Sequence, residues 1–166
     1  MTFGEVASTS SANPKTRLYE LIDPAKIADQ AEIDTFGLGK HHRKDFAISS
    51  PPALLAAITD ATERIRLTST VTQLLAADPV KAYEDFASLD LFSGGRAGIT
   101  AARGVYIESI PHFGCDLSES EDLFEEKLSL FTQVVKDECV SRRGKFRASL
   151  DSAGICPRTM NSELPL

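Results

Sequence analysis

The segment that decides the fold runs from Phe36 to Gly114 and reads FGLGKHHRKDFAISSPPALLAAITDATERIRLTSTVTQLLAADPVKAYEDFASLDLFSGGRAGITAARGVYIESIPHFG. Short apolar runs recur along this segment at intervals of roughly 30 residues, which is the length of a βαβ unit. Parallel strands are buried on both faces, which explains continuous apolar runs rather than strict alternation. We therefore predict an α/β fold with parallel strands over Thr35–Leu38, Ile65–Val71 and Ala97–Ala102.

The segments between these strands carry the signals of helix ends. Residues 49–52 (SSPP) and Asp78-Pro79 each combine a capping residue with proline in the first turn. Gly94-Gly95 predicts the end of the helix that Asp78 begins. Residues 118–121 (SESE) match a capping box and predict a further helix. Together with an N-terminal helix, the pattern predicts four helices.

Two parts of the chain fit the helical pattern less well. Apolar residues between Leu18 and Ala28 have helical spacing, but Pro24 falls among them and should kink or split that helix. From Ser141 onward the periodicity is lost, which predicts an irregular tail. We therefore divide the chain into residues 1–140 and a tail over 141–166.

Composition narrows the class of protein. A net charge of −6, with acidic residues spread through the predicted helices, argues against a nucleic-acid partner. The basic cluster in residues 142–147 is interpreted as solvated. No apolar run approaches the ~18 residues of a membrane span, and the N-terminus lacks a signal-peptide pattern. Three cysteines without a Cys-x-x-Cys pair predict reduced thiols, no metal site and a cytoplasmic location.

Six short motifs occur in a fixed order. They are Gly39–Arg43, Asp78–Val80, Leu89–Leu91, Ser93–Arg96, Arg103-Gly104 and Phe113-Gly114. Through them the chain resembles the N-terminal half of the luciferase-like, flavin-dependent monooxygenase family, which includes bacterial luciferase. That family builds a (β/α)8 barrel, which typically needs ~250 residues, more than the 166 present here. The resemblance implies a partial, half TIM-type barrel with three to four parallel strands, in which MTFGEV ends the first strand and Leu164–Leu166 leads into the fifth.

The resemblance also implies a chemistry. Reduced FMN would activate O2 and oxygenate a small organic substrate, and a deazaflavin is the less favoured cofactor. The alternative is a truncated half-barrel or assembly subunit without activity of its own, as in the noncatalytic subunit of luciferase. Unpaired strand edges would then favour a homo-oligomer or another association through the open barrel edges.

His41 is the candidate catalytic residue, because the family resemblance places it where luciferase has an acid/base histidine beside the flavin. Imidazole titrates near neutrality, as that role requires. The alternative is a surface or capping pair formed by His41 and His42. Lys40 stands where the family usually has glutamate. A cation beside His41 would oppose its protonation and disable the site, or it would attract an anionic group.

The candidate cofactor-binding residues are Thr70, Val71, Arg103 and Gly104. By resemblance, Arg103 binds the FMN phosphate through its planar fork, and Gly104 permits close backbone approach. An isolated arginine can equally form a surface ion pair. Thr70-Val71 matches the position where the family has a non-prolyl cis peptide against the flavin ring, although a trans peptide is our default expectation. Ser93–Arg96 is interpreted as a helix stop and turn rather than a phosphate-binding nest.

Overall fold

The structure is a computed structural model, and it describes residues 1–5, 13–104, 107–161 and 163–166. Four parallel strands lie side by side in chain order: β1 (Thr2–Gly4), β2 (Thr35–Leu38), β3 (Arg66–Gln73) and β4 (Thr100–Ala102). The helices are α1 (Pro14–Tyr19), α2 (Ile22–Gln30), α3 (Pro51–Thr59), α4 (Pro79–Phe92) and α5 (Ser120–Lys136). An antiparallel pair follows, β5 (Cys139–Arg142) with β6 (Leu150–Gly154).

The register of the sheet confirms the predicted strands. Phe36 on β2 lies opposite Leu67 on β3, and both side chains are buried in the helix-covered core. The third predicted strand begins later than expected, because the ladder proper covers only Thr100–Ala102. Ala97 already bridges to Leu67, and the Gly98 N–H donates to the Leu67 carbonyl at 2.9 Å. The chain therefore enters the sheet where predicted, but a break in pairing separates the two contacts.

Helix starts differ in how well local signals predicted them. Asp78 caps α4 by accepting hydrogen bonds from Val80 N at 3.0 Å and Lys81 N at 3.2 Å. The capping box predicted for residues 118–121 is wrong. Asp116 instead accepts from Ser118 N at 2.8 Å and caps a short 3-10 turn that leads into α5.

Pro24 splits the first helix as predicted. The break between α1 and α2 falls at Glu20-Leu21, and Pro24 lies in the first turn of α2. A first-turn residue has no intrahelical acceptor for its N–H, so proline is tolerated there. The first predicted helix therefore exists as two short helices.

The Ser93–Arg96 turn has the structural role predicted for it. The Arg96 guanidinium donates to the carbonyls of Ser93 at 2.7 Å, Ile65 at 3.1 Å and Thr59 at 3.1 Å. Its remaining contact is with the Thr62 hydroxyl at 3.0 Å. One side chain thus ties the end of α4 to the turn between α3 and β3.

From residue 141 onward the chain contains the end of β5 and all of β6, which were not predicted, and its other described residues have no regular secondary structure. The β5–β6 pair crosses the division placed at residue 140, and that division stays a prediction. Leu164 is buried in the core, and the Pro165 carbonyl accepts from Ile99 N at 2.9 Å. The chain end therefore lies beside the entry to β4, where a lead-in to a fifth strand was expected.

Helices cover one face of the sheet and leave the other uncovered. The helices bury the face that carries Phe36, Leu38 and Leu67, and a Cβ added to Gly4 would meet Leu21 and Phe36 on that side. Phe3 points the opposite way and is 66% exposed. In a closed barrel this opposite face would be the interior. Within the described ranges, no helix is long and apolar enough to cross a bilayer.

Candidate functional site

The predicted site residues come from three adjacent strands and lie along one edge of the sheet. His41 follows β2, Thr70 and Val71 lie within β3, and Arg103 with Gly104 follows β4. Because neighbouring parallel strands end at the same edge, these positions converge without help from distant loops. The part of the chain that the structure describes contains no group of three His, Cys, Asp or Glu side chains suited to a metal ion.

His41 is held by contacts from two directions. Its Nε2 forms a hydrogen bond with the Glu5 carboxylate, which follows β1, and its ring stacks on Phe46 with centroids 4.0 Å apart. The His41 N–H donates to the Ile48 carbonyl at 2.9 Å, and the side chain is only 15% exposed. His41 is therefore mostly buried and is held by several contacts, although it lies outside the helices and strands as a surface or capping pair of histidines would. Sequence analysis missed Glu5, because nothing local connects it to a residue 36 positions away.

Lys40 lines a cavity together with His42 and Asp85, and His41 is not among the residues that line it. Burial lowers the pKa of Lys40, and the negative charge of Asp85 acts in the opposite direction. Burial also lowers the pKa of His42, with a further contribution from the Lys40 charge. The positive charge of Lys40 therefore acts on the neighbouring His42.

Thr70 projects onto the uncovered face of the sheet, across Gly37 of β2. A Cβ at Gly37 would overlap the Thr70 methyl group, so this approach requires glycine. The Thr70 hydroxyl is buried and has no hydrogen-bond partner among the described residues. The Thr70-Val71 peptide is cis, which the family resemblance implied and our default expectation of a trans bond did not. Val71 is half-buried beside it.

Gly104 packs closely against Gln73, a residue that sequence analysis also missed. A Cβ on Gly104 would lie 2.9 Å from Gln73 Cγ, and the φ of Gly104 is +103°. The Gln73 side chain is buried and donates from Nε2 to the Lys40 carbonyl at 3.4 Å. Gln73 therefore links the chain after β2 to the chain after β4.

Arg103 lies at this edge with much of its guanidinium in solvent. It is 52% exposed, and its Nη1 is 3.5 Å from Oε1 of Glu121, itself 85% exposed. Such exposed ion pairs contribute ~0–1 kcal/mol to the free energy of folding. Arg103 therefore forms the surface ion pair that an isolated arginine was expected to form. Because its pair with Glu121 is weak, the guanidinium could exchange this partner for a phosphate.

Replacing Gly104 with alanine should destabilise the fold through the Gln73 contact. The matched control is Gly114→Ala, because Gly114 also has a positive φ (+69°) but no atom lies within 4 Å of its added Cβ. Both variants carry backbone strain, whereas only Gly104→Ala must displace Gln73. We expect urea denaturation to show a free energy of unfolding at least about 1 kcal/mol lower for Gly104→Ala than for Gly114→Ala. Equal losses would contradict the close packing of Gly104 on Gln73.

Comparison with known proteins identifies the fold and the family. The computed structure superposes on the oxygenating constituent of 3,6-diketocamphane monooxygenase from Pseudomonas putida, solved in complex with FMN, with a TM-score of 0.82 and 19% identity. That match covers 96% of this chain and 47% of the other. An F420-dependent secondary alcohol dehydrogenase, solved with an F420-acetone adduct, matches with a TM-score of 0.74 and 20% identity over 99% of this chain and 50% of its own. These similarities confirm the prediction that the chain has the fold of half a TIM-type barrel.

Sequence comparison gives the same result. The alkanal monooxygenase alpha chain of the Kryptophanaron alfredi symbiont is 28% identical over 145 residues, which are 85% of this chain and 41% of that protein. The chain thus spans less than half the length of this relative. A family model described as luciferase-like monooxygenase matches residues 1–166. With the whole of its length matched, the chain belongs to the luciferase-like monooxygenase family.

Proposed function

We propose that the chain supplies the first half of a flavin-binding site in a monooxygenase that oxygenates a small organic substrate. The observation that carries this proposal is the convergence of His41, Thr70 and Arg103 along one edge of the sheet. Membership of the family supports flavin-dependent chemistry in general. When bound, reduced FMN would supply the activation of O2, and the protein would supply binding, orientation and exclusion of water.

The residues at this edge fit a flavin. The buried Thr70 hydroxyl lacks a protein partner among the described residues and could bond to a polar atom of the ring system. Gly37 has no side chain that would displace Thr70 on this face, because a Cβ there would overlap the Thr70 methyl group. Half-buried Val71 would add an apolar wall. The exposed Arg103 fork suits the phosphate, and Gly104 keeps the backbone beside it free of a side chain.

His41 is the residue proposed to move a proton. An Nε2–H donating to Glu5 would leave Nδ1 as the acceptor, so the carboxylate selects one tautomer of the ring. Glu5 acts through His41 and is a positioning residue. The carboxylate that Lys40 replaces at the neighbouring position is thus supplied from the end of β1.

A deazaflavin is the alternative cofactor. The F420-dependent dehydrogenase superposes on 99% of this chain, so the fold alone does not separate the two. The flavin-dependent trigonelline monooxygenase component from Acinetobacter baylyi, 30% identical over 106 residues, favours a flavin. We therefore propose FMN.

The second candidate is a half-barrel without activity of its own, which acts by association. The observation that favours it is the uncovered face of the sheet, on which Phe3 is 66% exposed. A parallel sheet with an uncovered face and open edge strands presents unpaired backbone groups to which another chain can bind. A homo-oligomer or a complementary half would provide that cover.

Arg103→Met should weaken binding of FMN and leave binding of riboflavin, which has no phosphate, unchanged. Loss of a charge-assisted, forked contact costs about tenfold or more in the dissociation constant. Arg64→Met is the matched control, because Arg64 also pairs with an exposed glutamate at 3.5 Å. Titration followed by flavin fluorescence measures both ligands, with oxidised FMN and its reduced form.

The outcome of that titration also separates the two candidates. A folded chain that binds neither form of FMN up to about 100 μM, a weak affinity by any standard, would reject the flavin proposal and favour the second candidate. Equal weakening by Arg103→Met and Arg64→Met would reject Arg103 as the phosphate ligand.

Replacing Glu5 with glutamine should change the tautomer population of His41. A neutral amide is a weaker acceptor than a carboxylate, so the Nε2–H form should lose its advantage. Nitrogen-15 shifts of the imidazole ring measure this directly and need no flavin. Glu32→Gln is the control, because Glu32 is exposed and pairs with Arg64 instead. Identical His41 ring shifts in Glu5→Gln and the parent chain would mean that Glu5 does not position this histidine.

A further inference from the structure

A cavity lies between the chain after β2 and the first turns of α3 and α4. We call it the outer cavity. It has a volume of about 290 Å³, and Lys40, His42, Asp85 and Phe113 are among the residues that line it. We propose that this cavity binds a small organic carboxylate, with Lys40 and His42 as the groups that recognise the acid. The proposal does not rest on flavin binding, because none of these side chains belongs to the flavin site described above.

Lys40 lines the cavity and forms no ion pair among the described residues. Lys81 forms its ion pair with Asp85, and Arg147 binds Asp78 at 2.7 Å. Among the described residues no ion pair or hydrogen bond involves the Lys40 ammonium. Burial already lowers its pKa, which records the cost of removing that charge from water. The charge of Asp85 offsets part of this cost, and an anion bound beside Lys40 would offset more of it.

His42 offers a hydrogen-bond donor beside that cation. Its Nε2 is buried and has no partner within the part of the chain that the structure describes. Burial and the charge of Lys40 lower the pKa of His42, which favours the neutral ring, in which one nitrogen carries a proton. Its ring meets Phe113 edge-on, with centroids 4.6 Å apart, which fixes its orientation. A carboxylate could accept from Lys40 with one oxygen and from His42 with the other.

The rest of the lining argues for a monoanion with an apolar body. Pro51 and Pro52 have no N–H, and Asp78 already occupies the free N–H groups at the start of α4, so the helix ends add few donors. The carboxylates of Asp78 and Asp85, although paired with Arg147 and Lys81, add negative charge to the lining that opposes a phosphate dianion more than a monoanion. Phe86 and Phe113 supply an apolar wall. The volume lies at the lower end of the range for small-molecule sites, which fits an acid with one ring.

Benzoate, with benzamide as its neutral isostere, is the probe that tests this proposal. We expect saturable shifts of the His42 ring resonances when benzoate is added to the chain without flavin. Benzamide and inorganic phosphate should each bind at least about tenfold more weakly, because one lacks the charge and the other carries too much. Lys40→Met should weaken benzoate about tenfold, whereas Lys26→Met, at an exposed lysine of α2, should not.

Three results would overturn the proposal. Equal binding of benzoate and benzamide would show an apolar site without acid recognition. Tighter binding of phosphate would show a phosphate site. Unchanged benzoate affinity in Lys40→Met, with its fold verified by circular dichroism, would remove Lys40 from the site. If that variant does not fold, the comparison of benzoate with benzamide on the parent chain still decides.

Discussion

The pairing of β2 with β3 is the contact on which the rest of the structure depends. Gly37 of β2 lies beneath the Thr70 side chain of β3, and this approach is possible because Gly37 has no side chain. The register that follows puts Phe36 and Leu67 together under the helices and brings Thr70 level with the chain that leads to His41. A shift of one residue would send every side chain to the opposite face. The core and the candidate site are therefore fixed by the same pairing.

Consecutive residues after β2 serve two different environments. The His41 imidazole contacts Glu5 and Phe46, whereas Lys40 and His42 line the outer cavity. The alternation separates a histidine that is bonded to a carboxylate from a cation that forms no ion pair among the described residues. Lys40 therefore has a place of its own in the structure, besides standing where the family usually has glutamate. Glu5 supplies a carboxylate to His41, and Lys40 gives the outer cavity a positive charge that the family motif would not.

Local signals in the sequence predicted the elements whose causes are themselves local. The repeat of apolar runs indicated the strands, Asp78 indicated the start of α4, and Pro24 indicated the split of the first helix. The capping box at residues 118–121 failed because Asp116, two residues earlier, makes the competing cap. The family resemblance, rather than any propensity, led to the cis peptide at Thr70-Val71.

The contacts that sequence could not predict join residues far apart in the chain. Glu5 reaches His41 across 36 positions, and Gln73 reaches the Lys40 carbonyl across 33. Neither residue lies in a recognisable motif, since its role exists only once the strands are paired. The β5–β6 pair was missed for a related reason, because its residues have neither a clear alternation nor a tight-turn signal. The sequence thus predicted the candidate site residues and not the residues that position them.

The contact between the Thr70 methyl group and Gly37 is the most direct test of this account. A nuclear Overhauser spectrum of the methyl-labelled chain measures it without cofactor or substrate. We predict a strong cross-peak between the Thr70 methyl protons and the α-protons of Gly37, since the two groups are in van der Waals contact across the sheet. Absence of that cross-peak in a folded chain, with Thr70 instead close to core residues such as Leu38 or Leu67, would mean that β3 faces the other way and that the candidate site is not formed.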